Sequence, residues 1–126
     1  MILETSAIVA ILRDEPEAAD FTQAIEDADS VSVSAATVVE AHLVLGHARR
    51  TDLDALLARS FARVHPVTAD HAEHARRAHD RYGRGSGSRA RLNFGDCFSY
   101  ALAKATGEPL LFKGDDFGHT DITPAR

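Results

Sequence analysis

Five carboxylates stand where an α/β chain could use them for chemistry: Glu4, Glu40, Asp96 and the adjacent pair Asp115 and Asp116. Glu4 closes the short apolar run Met1-Ile2-Leu3, at the carboxyl end of a strand. Glu40 lies in a helix otherwise rich in apolar residues, among Val38, Val39, Ala41, Leu43, Val44 and Leu45. A carboxylate there is costly unless it is paired or binds a metal. Asp96 sits in the first turn of a helix that Asn93 can cap. Asp115 and Asp116 follow the apolar run Leu110-Leu111-Phe112, where that strand would emerge. Ligands of open α/β sheets bind beyond the carboxyl ends of the strands. Four carboxylates brought to one such rim (Glu4, Glu40, Asp96 and Asp115, with Asp116 the rival for the last place) cannot all stay ionised without compensation. A hard divalent cation, Mg²⁺ or Mn²⁺, suits an oxygen-only donor set. Such an ion can polarise a phosphoryl oxygen and deprotonate a water, which is the chemistry of phosphodiester hydrolysis. Each acid also has a plainer reading. Glu4 is a solvated strand end, Glu40 an exposed flank or a salt bridge, and Asp96 a complement to the helix dipole worth ~0.3–1 kcal/mol.

The elements that must hold these acids alternate along the chain. Strands are expected at 1–4, 31–34, 64–67 and 110–112, with a further edge strand at 121–123. Pro66 marks the 64–67 strand as an edge or an end. Thr5 and Ser6 can cap a helix over 7–12. A second helix opens at Pro16, with Ala18, Phe21, Ile25 and Ala28 inward. A third spans 35–50, with Ala36, Val39, Leu43 and Gly46 or His47 as its core stripe. A fourth spans 51–61, with Leu53, Leu56, Leu57 and Phe61 inward. Thr68 caps a fifth that runs to about Tyr82. In the last helix Phe94, Phe98, Ala101, Leu102 and Ala105 recur at helical spacing. The alternation predicts one α/β domain over residues 1–126. It is an α/β/α sandwich around a central parallel sheet of four or five short strands.

Composition narrows the classes. One cysteine, Cys97, excludes a disulfide framework and reads as a small buried hydrophobe in a reducing compartment. No apolar run approaches a membrane span and no signal peptide is recognisable, so a cytoplasmic protein is expected. Aromatics make up 6% and Trp is absent, which argues against a stacking platform for single strands. The net charge of −5 is unevenly spread: residues 1–75 carry −8 and residues 76–126 carry +3. Six arginines fall between Arg76 and Arg91, around a flexible Gly/Ser loop. Arg84, Arg89 and Arg91 are its candidates for holding a nucleic-acid backbone beside an acidic pocket. His71 and His74 share a helix face, but no third ligand accompanies them.

LETSA (3–7), the mid-helix Glu40, GDCFSYALA (95–103), LLFKGDDF (110–117) and the closing GDDFGHTDI (114–122) resemble a PIN domain. More narrowly, they resemble the VapC toxins of bacterial type II toxin–antitoxin modules, in order and over essentially the whole chain. The resemblance implies a metal-dependent endoribonuclease acting on structured RNA. It implies a homodimer, assembling into a heterotetramer or octamer with a VapB-type antitoxin whose C-terminal arm covers the acidic groove. Carried over residue by residue, Glu4 and Asp96 match metal-holding positions. Glu40 matches an acid on the metal or its waters, Asp115 or Asp116 the fourth acid, and Ser6 a supporting hydroxyl. One departure stands out: the family has Asp where this chain has Glu4. The extra methylene moves the carboxylate by on the order of 1 Å, and misplacement of that size can cost roughly 10²-fold in rate. The alternative function is therefore an inactive acidic pocket that binds only a basic antitoxin peptide. A receiver domain fits poorly, because Thr68 and Ala69, not an Asp, follow the 64–67 strand. A phosphatase lacks its Asp-x-Asp, since Thr5 and Ser6 follow Glu4.

Overall fold

The computed structural model describes residues 1–126. Four short strands form its sheet: β1 (Ile2–Leu3), β2 (Ser32–Ser34), β3 (Arg63–His65) and β4 (Leu110–Leu111). All pair in parallel, in the order β3-β2-β1-β4. Parallel strands need long crossovers, and six helices supply them: α1 (Thr5–Leu12), α2 (Ala18–Asp27), α3 (Ala35–Leu45), α4 (Arg50–Arg59), α5 (Ala69–Tyr82) and α6 (Phe94–Thr106). Side chains alternate across each strand. Ile2 and Leu110 therefore enter a core with α5 and α6, while Leu3, Val33 and Leu111 enter a second core with α1 to α4. Both faces of the sheet are covered, as the apolar strands require.

The helix ends follow local chemistry. Asn93 and Asp96 form a reciprocal capping box at the start of α6. Thr68 caps α5, and Ser34 caps α3.

Five expectations are corrected. The third helix stops at Leu45, where Gly46 leaves with a φ of +87°. Its buried face is Thr37 and Ala41, whereas Val39 and Leu43 are 59% and 73% exposed. With apolar residues nearly all round, hydropathy does not choose the inward face. Packing on α1 and α6 does, and the Thr37 and Ser99 hydroxyls bond across it at 2.9 Å. Phe61 and Phe94 also face outward; they lie at helix ends, beyond the reach of the core. Ala105 is exposed as well. Finally, the edge strand expected at 121–123 reduces to a single bridge between Leu110 and Pro124.

Candidate functional site

The carboxyl ends of β1 and β4 and the first turns of α1 and α6 surround a cavity of about 320 Å³. Glu4, Glu40, Asp96 and Asp116 line it, with Ser6 and Lys113 beside them. Glu4 is the most constrained. It caps α1 directly after β1 and is only 3% exposed. Its carboxylate accepts the Ser6 N–H at 2.6 Å and the Ser6 hydroxyl. The Ser6 oxygen in turn accepts the Lys113 N–H at 2.8 Å, which ties the exit of β4 to that of β1. The Lys113 ammonium is held by Glu15 at 2.6 Å and Glu17 at 3.1 Å.

Asp96 accepts the Asn93 N–H at 2.8 Å as part of the capping box. Glu40 reaches the cavity from α3 and accepts a hydrogen bond from the Thr5 hydroxyl. Its other side lies against the first turn of α6, where Gly95 presents no side chain. The predicted need for a partner to Glu40 is thus met from α1. From the sequence Thr5 is only a candidate helix cap, and nothing in its spacing announces a bond 35 residues away.

The acids perturb one another. Burial, then the charges of Asp96 and Glu40, push Glu4 up to about 7, against the two Ser6 hydrogen bonds. Burial likewise pushes Asp96 up to about 6; Glu40 and Asp116 add to the shift, while the Asn93 N–H and Arg84 oppose it. The Cys97 thiol is buried and pushed up to about 11, in keeping with an inert core position.

Not every expected residue reaches the cavity. Asp116 lines it; its neighbour Asp115, the first choice from the sequence, does not. Asp116 opens a one-turn 3₁₀ segment running to His119, which carries it to the cavity side. Arg84 lies close enough to Asp96 to influence its charge. Arg89 and Arg91 are exposed on the same loop and do not line the cavity. That loop is pinched at its base by backbone bonds between Arg84 and Leu92 and between Leu92 and Tyr82. A larger depression of about 730 Å³ beside β2 and β3 holds Glu26, Asp29 and Glu108. Glu26 and Asp29 are exposed, and Glu108 pairs with the Met1 ammonium. The smaller cavity is the candidate site, because it holds the buried Glu4 and the half-buried Asp96, both with raised pKa values.

No three His, Cys, Asp or Glu side chains are disposed as a finished metal cage, at the cavity or around His71 and His74. The donor chemistry of the cavity nevertheless fits a hard divalent cation. The donors are oxygens only, and a cation between Glu4 and Asp96 would reverse the cost of ionising them.

A family model for the PIN domain matches residues 1–122. Ribonuclease VapC28 of Mycobacterium tuberculosis is 50% identical, over 99% of this chain and 97% of its own. Among solved structures, M. tuberculosis VapC20, a Sarcin-Ricin loop cleaving toxin, superposes with a TM-score of 0.78. That match covers 97% of this chain and 95% of the other at 20% identity. A toxin–antitoxin complex from Klebsiella pneumoniae gives 0.71, covering 95% and 92% at 18% identity. The two structures establish the shared fold. The sequence match reaches further, and the chain belongs to the VapC ribonucleases of the PIN-domain family.

Proposed function

We propose that this chain is a divalent-metal-dependent endoribonuclease, the toxin of a VapBC pair, working from the cavity of Glu4, Glu40, Asp96 and Asp116. The observation that carries this reading is the convergence of four acids from four separate elements on one small cavity. Ribonucleases of this family generally depend on a divalent metal. Mg²⁺ or Mn²⁺ is the ion we assign, because acids line the cavity and neither His nor Cys does.

Glu4 and Asp96 would hold the ion, with Glu40 and Asp116 beside them. When bound, the ion supplies polarisation of a phosphoryl oxygen and activation of a water. The residues of the chain do the rest. The two Ser6 hydrogen bonds fix the direction of the Glu4 carboxylate. The capping box fixes that of Asp96, so neither acid must reorganise when a phosphate arrives. Asp116, the exposed member, would add negative charge beside the ion and orient its waters. Arg84 balances a phosphate at the lip, and Arg89 and Arg91 extend that basic track outward. Shape, not base identity, then decides which RNA fits.

The same acids suit a basic side chain from an antitoxin arm laid across the cavity. The exposed Val39, Leu43 and Phe94 give apolar surface for a second copy or for that arm. We place the protein in the cytoplasm with its RNA; no helix is long and apolar enough to cross a membrane.

Cleavage of a total-RNA pool by the purified chain tests this. Cleavage should require Mg²⁺ or Mn²⁺, stop with EDTA, and be absent from Asp96→Asn. If the chain and its Glu4→Asp variant both fail to cleave, yet bind a basic antitoxin peptide, the protein is a binding module and the enzyme reading falls.

A further inference from the structure

Gly95 is the second residue of α6, with Asp96 directly after it. Its backbone is not in the left-handed region, so conformation does not call for glycine there. Alanine would suit a helix better. Space explains the choice: a Cβ at Gly95 would fall on the carboxylate of Glu40. Most of the other glycines have open space where a Cβ would go. At Gly83 a Cβ would meet His79 of the preceding helix, which is a matter of local turn geometry. Only Gly95 gives up its side chain to an acid arriving from another element.

The opposite side of Glu40 is fixed by the Thr5 hydroxyl. Glu40 thus sits between a donor on α1 and a hollow on α6, and that hollow lies one residue before Asp96. We infer that Gly95 is a positioning residue of the site: its missing side chain is the seat that lets Glu40 stand beside Asp96. This rests on the reading of Glu40 as a functional acid. Gly95 touches neither substrate nor metal itself; it acts through Glu40. A methyl group there would turn the carboxylate away from Asp96 or lift α3 from α6.

A double-mutant cycle tests the assignment. Mn²⁺ binding by calorimetry, thermal unfolding without metal, and RNA cleavage would be measured for Gly95→Ala, Glu40→Ala and the double variant. Gly95→Ala should weaken Mn²⁺ binding and slow cleavage by about 10-fold or more, the scale of outer-shell losses. Placed on Glu40→Ala, the same methyl should change neither any further, and unfolding should occur at or above the temperature of Glu40→Ala alone. If Gly95→Ala fails to fold, the Glu40→Ala background should restore folding, because the clash has lost its partner. Parental Mn²⁺ affinity in Gly95→Ala, or equal damage with and without Glu40, overturns the inference. If Glu40→Ala itself keeps parental affinity and cleavage, the wider reading of Glu40 fails along with it, and that result is recognisable before the glycine is considered.

Discussion

The floor and the lip of the cavity are built by opposite means. At the floor, Glu4 and Asp96 are held by backbone N–H groups at the ends of regular elements. Both carry pKa values pushed well up, to about 7 and about 6. At the lip, Asp116 and Arg84 are exposed residues on loops, connected to the site chiefly through charge. The floor is preorganised at a cost in stability. The lip costs the fold little and can adapt to what arrives.

The contrast orders the expected effects. Removing a floor acid should be the most damaging: Asp96→Asn should lower metal-dependent cleavage by more than about 100-fold, beyond the range typical of outer-shell changes. Its circular dichroism should be unchanged, because Asn still accepts within the cap.

The next effect is on stability. Glu4 keeps its proton to a higher pH when folded than when unfolded, where it titrates near 4.5. Its ionisation therefore costs nothing below pH 4.5, and the cost grows as pH rises through 7. It levels off at roughly 3–4 kcal/mol, at about 1.4 kcal/mol per pH unit. Glu4→Gln should accordingly unfold with the parent at pH 4 and at a higher temperature than the parent at pH 8 without metal. Added Mg²⁺ should narrow that gap by stabilising the parent alone. Equal melting temperatures across the pH range would mean that Glu4 is not strained by burial.

Smaller effects belong to the lip. Asp116→Asn should slow cleavage by about 10-fold, whereas Asp115→Asn should leave it within about twofold, since surface changes away from a site are mild. The reverse ranking would move the fourth acid to Asp115. Arg84→Ala should weaken RNA binding only a few-fold and reduce the salt slope by about one.

The same division governs what could be read from the sequence. The parallel sheet, the helices on both faces and the positions of Glu4 and Asp96 followed from apolar runs and caps, which are local signals. Glu40 stood out because a carboxylate on an apolar helix needs a reason. Hydropathy misplaces the inward face of α3, because a helix apolar on most sides leaves its orientation to tertiary packing. Asp115 and Asp116 could not be separated, because their difference lies in a one-turn 3₁₀ segment with no strong periodic pattern. Gly95 does carry a sequence signal: a glycine inside a helical pattern usually has a packing reason.

The outer edge of β3 bears on how the protein behaves at high concentration. An unpaired parallel strand offers N–H and C=O groups to any other extended chain, and such edges seed aggregation. Here the exposed edge is three residues long, begins with the exposed cation Arg63 and is followed at once by Pro66. Val64 is left partly bare, but too little backbone remains in register for a foreign strand to zip against it. The short strand that closes the sheet is thus also a guard against fibril-like stacking, which matters for a chain that would have to stay dispersed until its partner binds.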